Sequence, residues 1–192
     1  PGSLGGPRPV IEANCHRSAP RRKKRPAVGT RRAPSGLPLR RLPGHSFSLH
    51  LMPVSWPARS VPAADVVAAV RSGTSVFVHG ACATPAPLVE ALCARRDLAD
   101  VRLYHLHTAG PAPFAAPGRE REFRSVSLFT GAPLRQAIAD DRADFIPIFL
   151  SDIPDLFLSG QVPLDAALVQ VSPPDRHGLC SLGTSCDAAK AA

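Results

Sequence analysis

The side chains best suited to chemistry are histidines: His79, His105, His107 and His177, with His50 upstream. Imidazole titrates near neutral pH and offers both a donor and an acceptor. His79 stands beside Gly80 at the end of an apolar run. There it could bind a carboxylate or serve as a hydrogen-bonded structural residue. His105 and His107 are spaced to share a strand face and could ligate a metal, but no third ligand is evident. His177, Cys180 and Cys186 could be drawn into a zinc cluster, yet their H-x-x-C and C-x5-C spacings fit no zinc pattern. No metal site is expected. Cys82 lies in a loop ahead of a helix start, where a helix N-terminus would lower its pKa. With no His or Asn partner identifiable, packing as a small residue is its better account. No G-x-x-x-x-G-K-S/T and no G-x-G-x-x-G occurs, so nothing supports a nucleoside triphosphate or dinucleotide.

Two loops could position such groups. Thr74–His79 (TSVFVH) reads as a buried strand that runs into Gly80-Ala81-Cys82-Ala83-Thr84-Pro85. Pro85 then starts a helix with Leu88, Val89 and Leu92 on its core face. Strand, small-residue loop and helix is the geometry in which backbone N–H groups face an anion, although any α/β protein has such turns. The second loop follows the strand Ala166–Val171, which Pro173-Pro174 must end because neither proline can donate to a ladder. A polar loop with Gly178 and Gly183 hangs from that strand's carboxyl end, where open α/β sheets place ligand sites.

The remaining elements follow the same alternation. A helix is predicted over Ala63–Val70, with Val66, Val67 and Val70 on one face and Gly73 ending it. Val101–Thr108 is a second strand whose alternation favours neither face cleanly, closed by Ala109-Gly110-Pro111. A long charged loop spans 112–124. Ser125–Phe129 is a third strand, Pro133–Asp140 a helix, and Phe145–Leu150 a fourth strand. Asp152 can cap a short helix Ile153–Leu158, and Ser185 could cap a helix starting at Asp187. The fold class is therefore α/β: a largely parallel sheet with helices on both faces.

Charge divides the chain. Residues 1–60 hold 12 Lys/Arg against Glu12 alone, a charge of +11; residues 61–192 hold 11 Lys/Arg and 14 Asp/Glu, a charge of −3. The leader is rich in Pro, Arg, Gly and Ser and contains the run Arg21-Arg22-Lys23-Lys24-Arg25. Such a composition buries too little apolar surface to offset its ordering entropy, so 1–60 is expected to be a disordered basic tail. A mitochondrial targeting segment and a nucleic-acid arm are the other readings. Only Phe47 and Trp56 interleave with the basic residues, which is thin for base stacking. Five scattered cysteines and no secretory h-region point to reduced thiols inside a cell. No apolar run approaches the roughly 20 residues of a membrane helix. The chain begins at Pro1 and stops inside a candidate helix, so a fragment of a longer protein is expected.

The segment SPPDRHGLCSLGTSCDAA resembles the SPPD-x-HG-x-CS-x-G segment of the acetyl-CoA hydrolase/transferase family, whose members include acetate and 4-hydroxybutyrate CoA-transferases. The resemblance extends through VFVHGACATPAPLVEAL, VRLYHLHTAGP, FRSVSLFTGAPLRQAI and RADFIPIFLSDIPDLF, and covers about Val61 to Ala192. It implies a CoA-transferase-like α/β/α domain, one of two similar halves, occupying 61–192.

In that family a glutamate attacks the acyl-CoA thioester, giving a mixed anhydride and then a glutamyl-CoA thioester, from which a second carboxylate accepts the acyl group. The resemblance places that glutamate in the second half, so no catalytic residue is expected here. Glu90, mid-helix, and Glu120 and Glu122, in a charged loop, do not replace it. It implies that His79, Gly80, Ala81 and Thr84, after the first strand, and Thr108 and Gly110, after the second, face the acyl or carboxylate substrate. His79 and Cys82 depart from the family's commoner small residues, and the glycines would also serve simple turns. The implied function is acyl transfer between CoA thioesters and short carboxylates in acetate metabolism, or hydrolysis where water resolves the intermediate. Coenzyme A enters as substrate, with no cofactor. Implied partners are acyl-CoA, a short carboxylate and the C-terminal half of the same enzyme, with a homo-oligomer open and neither membrane nor nucleic acid expected. The location is mitochondrial, with cytoplasmic as the alternative. A non-catalytic α/β module, or a degenerate copy acting as a partner subunit, is the rival reading.

Overall fold

Alternating apolar segments and helices assemble as a parallel sheet in the computed structural model, which describes residues 10–13 and 60–192. The elements in chain order are β1 (Val10–Ala13), α1 (Ala63–Val67), β2 (Ser75–Val78), α2 (Ala86–Ala94), β3 (Val101–His105), β4 (Phe123–Ser127), α3 (Ala132–Ala139), β5 (Ala143–Phe145), α4 (Ile153–Leu158) and β6 (Ala166–Gln170). The strand order is β1-β6-β2-β3-β4-β5, and every neighbouring pair is parallel. Five of the six strands lie within 60–192. The chain steps outward from β2 to β5 and then returns with β6 to the other side of β2. The carboxyl end of β2 is therefore the point where the strand order reverses, the usual place for a ligand crevice.

Helices cover both faces. Val76, Val78, Val101, Leu103, Phe123 and Leu168 pack with Leu88 and Leu92 of α2 and Leu134 of α3. Phe77, Tyr104, Leu106, Val126, Ala167 and Val169 pack with Ile153 and Phe157 of α4 and with Ala188 near the end of the chain. Adjacent strand residues thus bury into opposite layers, as the period of a strand requires. This is why the alternation in β3 favoured neither face. Three arginines satisfy carbonyls that helices and turns leave open. Arg95 donates to Val67 O (2.8 Å) and Val70 O (2.6 Å). Arg119 donates to Cys93 O (2.8 Å), and Arg142 to Ala115 O.

The structure differs from the sequence reading at several points. Val10–Ala13, inside the expected disordered leader, forms the outer strand against β6 in the register Val10↔Ala167. The rest of that leader, Ser60 apart, lies outside the described residues. The helix expected to Val70 ends at Val67, whose carbonyl accepts from Val70 N (3.1 Å) and from Arg95. β4 begins two residues early because Phe123 pairs with Val101. The expected strand Phe145–Leu150 is instead β5, Ala143–Phe145. Ile146 N makes the last bond of the ladder, to Ser127 O (3.0 Å), and the chain leaves the sheet from Pro147 on. Asp152 precedes α4 but makes no side-chain cap; its carboxylate accepts the Ser151 hydroxyl instead. Ser185 caps no helix, because residues 187–191 form turns.

Candidate functional site at the carboxyl edge of the sheet

Gly80 follows β2, and its backbone is pressed against the chain leaving β3. A Cβ on Gly80 would lie 2.4 Å from Leu106 O and 3.1 Å from Leu106 C. Gly80 has φ −109°, so it is here for close approach and not for a left-handed turn. Ala81 N donates to His107 O at 2.8 Å. The Thr84 hydroxyl donates to Ala81 O (2.9 Å) and accepts from Ala109 N (3.2 Å). These bonds lace the Gly80–Thr84 loop to the Leu106–Ala109 turn, side by side at one edge. Gly110, at φ +77° with open space where its Cβ would stand, is a turn glycine. Gly131 precedes α3, and a Cβ on it would stand 4.0 Å from Thr108 O, ordinary van der Waals distance.

His79 is fully buried. Its N–H donates to Leu168 O (2.9 Å) and its Nε2 donates to Ser185 O. The ring thus carries its proton on Nε2, and Nδ1 is buried without a partner. The chain after β6 folds back over the reversal point, and Ser185 occupies the place in front of His79. On this geometry His79 is a hydrogen-bonded interior residue.

His105 is also fully buried. Its Nε2 meets Ser125 Oγ at 2.8 Å and its Nδ1 meets Thr108 Oγ1 at 3.1 Å. Burial pushes its pKa down from 6.5 to about 4, so the ring is neutral at pH 7. His107 does not share its setting. It lies beyond the end of β3 with φ +30°, and its ring stacks on Phe129 at 4.0 Å. The two rings are thus committed to different neighbours. His177 Nε2 accepts from Arg176 (2.9 Å), and Asp175 folds the exposed loop around it by accepting from His177 N (2.8 Å) and Leu179 N (3.0 Å). No group of three metal-ligating side chains occurs among the described residues. Cys82 is exposed in a single 3₁₀ turn, Ala81–Ala83. Cys93 is half-buried, and burial pushes its thiol up to about 12, which leaves it inert.

The sequence reading missed Ser125 and its bond to His105. The available signal was a pair of serines, Ser125 and Ser127, at alternate positions of a strand that otherwise packs Phe123 and Val126.

The family model for the acetyl-CoA hydrolase/transferase N-terminal domain matches residues 54–192. The chain belongs to this family. It is 46% identical over 144 residues to a succinyl-CoA:acetate/propanoyl-CoA:succinate CoA transferase of Fasciola hepatica, covering 73% of this chain and 30% of the relative. It is 35% identical over 133 residues to the 4-hydroxybutyrate coenzyme A transferase of Clostridium kluyveri, covering 69% and 31%. Among solved structures it resembles RipA from Yersinia pestis, with a TM-score of 0.56 at 27% identity, covering 64% of this chain and 31% of that one. It also resembles a 4-hydroxybutyrate CoA-transferase from Porphyromonas gingivalis, with a TM-score of 0.53 at 30% identity, covering 71% and 30%. The chain thus spans about a third of the length of these relatives. The α/β/α architecture and the assignment to an N-terminal domain of the CoA-transferase family agree with the resemblance read from the sequence.

Proposed function

We propose that this chain is the N-terminal half of a CoA-transferase that moves an acyl group between CoA thioesters and short carboxylates, in acetate metabolism. A second half supplies the nucleophilic glutamate. One observation carries this reading. The two loops laced together at the carboxyl edge, 79–84 and 106–110, contain no Asp or Glu. A carboxylate nucleophile for the thioester must then come from elsewhere. This domain would supply the facing wall: the Gly80–Thr84 backbone, Thr108 and Gly110. In the second half's reaction the glutamate displaces CoA as thiolate, and CoA then returns to the glutamyl carbonyl as the free carboxylate leaves. Resolution by water would make the enzyme a hydrolase. The substrates in the name of the Fasciola hepatica relative, succinyl-CoA, acetate and propanoyl-CoA, support the short-acyl class. Coenzyme A is substrate in this reading, and no resident cofactor is called for.

The test is a CoA-transfer assay on the purified 192-residue chain with acetyl-CoA and acetate or succinate. The expected result is binding without turnover. Acyl transfer by the chain alone, lost when one of its own residues is changed, would overturn the division of labour. The basic charge of residues 1–60 supports mitochondrial import, which a fluorescent fusion of that segment would show or refute.

A further inference from the structure

Ser125, His105 and Thr108 form a hydrogen-bonded row whose direction is fixed by which end can spare an unpaired proton. Neutral imidazole has one N–H and one bare nitrogen, and here both face hydroxyls. Two directions are available. If Thr108 donates to Nδ1, then Nε2–H donates to Ser125, and the Ser125 hydroxyl hydrogen is left over. Ser125 is 0% exposed, and among the described residues its side chain has no hydrogen-bond partner but His105. A hydrogen left there meets neither an acceptor nor water, which buried hydroxyls avoid. In the opposite direction Ser125 donates to Nε2, Nδ1–H donates to Thr108, and the Thr108 hydrogen is left over. Thr108 is the one member with any exposure, 7% over the whole residue, and its neighbour Ala109 is bonded to Thr84 at the carboxyl edge.

We propose that the row runs from Ser125 through His105 to Thr108, so that His105, as the Nδ1–H tautomer, is a positioning residue that presents the Thr108 hydroxyl hydrogen at the sheet edge to a substrate carboxylate or thioester oxygen. Successive donors in one direction polarise each other, which strengthens the terminal O–H as a donor. The substrate end of this proposal rests on the function proposed above; the tautomer does not.

The tautomer is read from the ring nitrogen-15 shifts of the 192-residue chain, with the His105 signals assigned by their loss in His105→Gln. The expected result at neutral pH is a protonated Nδ1 and a bare Nε2. A protonated Nε2, or shifts averaged between tautomers, overturns the proposal. Binding is then followed by amide shifts, with acetate and acetyl-CoA as separate probes. Thr108→Val keeps the shape and removes the donor; it should weaken binding by about tenfold, the worth of one hydrogen bond to a charged or polar oxygen. Thr108→Ser should restore it, and this variant decides the matter if the valine chain fails to fold. If wild type and a folded Thr108→Val bind acetyl-CoA alike, the donor role fails and the acyl-CoA reading survives. If neither probe shifts any amide of the wild-type chain, the acyl-CoA reading fails and takes the substrate end of the proposal with it.

Discussion

Ala81 and His107 are joined by a backbone hydrogen bond of 2.8 Å, and both lie in the left-handed region, at φ +49° and +30°. Neither is glycine, and for L-residues this region costs roughly 1–2 kcal/mol each. Such strain persists where the surroundings over-determine the backbone, commonly at binding sites. Here the surroundings are the Thr84 lacing and the close approach of Gly80 to Leu106. Ala81→Gly should relieve the strain while loosening the unfolded chain, a net gain of up to about 1 kcal/mol. Ala81→Val should lose about 2 kcal/mol, because a branched Cβ fits that region worst. Urea midpoints of the two variants check both signs; a more stable valine variant would refute the strain.

Gly80 is a packing glycine. A negative φ would ordinarily let another residue replace a glycine at small cost to folding. Its φ is negative, and the cost is nonetheless large, because the obstacle is Leu106 O at 2.4 Å, backbone that cannot rotate away. Even Gly80→Ala should therefore lose roughly 3 kcal/mol by prising β2 from β3, as overpacking at a rigid contact does. Thermal unfolding measures this. An alanine variant with unchanged stability would show that the two loops are not held together as described.

What the sequence shows and what it hides divide along physical lines. The β2 and β6 strands and α2 were legible because each rests on a local signal: an apolar run, a pair of prolines that ends a strand, a proline at a helix start. Phe145–Leu150 misled because an apolar run marks burial only where neighbours exist, and Phe149 stands 80% exposed beyond the last ladder bond. His79 and Ser185 are 106 residues apart, so no spacing rule could pair them. The His105–Ser125 bond crosses two strands and depends on register, which only the assembled sheet fixes.

Arg95 should matter more than an ordinary surface arginine. One of its nitrogens reaches two carbonyls, Val67 O at the end of α1 and Val70 O in the turn that follows, and its other side pairs with Asp97 at 2.6 Å. Arg95→Ala should cost about 2 kcal/mol, chiefly from the two carbonyl bonds, whereas Asp97→Ala should cost clearly less, because that pair is open to solvent. Equal losses in the two variants, measured by denaturant unfolding, would refute this ranking.

His105 predicts how stability follows pH. Its pKa falls from 6.5 in the unfolded chain to about 4 in the fold, by burial. Between those values the unfolded chain binds a proton that the folded chain refuses, so stability rises with pH there. Stability is at its full value above about 6.5, declines as pH falls, and has lost the whole contribution once pH passes below about 4. A shift of this size corresponds to something on the order of 3 kcal/mol. His105→Gln keeps a donor and an acceptor but cannot titrate, so its unfolding free energy should fall less over the same window. Denaturant unfolding of both chains at stepped pH gives the difference curve. The prediction is a gap that closes as pH falls from 6.5 to 4, the wild type losing stability faster. Parallel curves would mean that the His105 ring takes its proton as readily in the fold as outside it, and the neutral row from Ser125 to Thr108 could not be present.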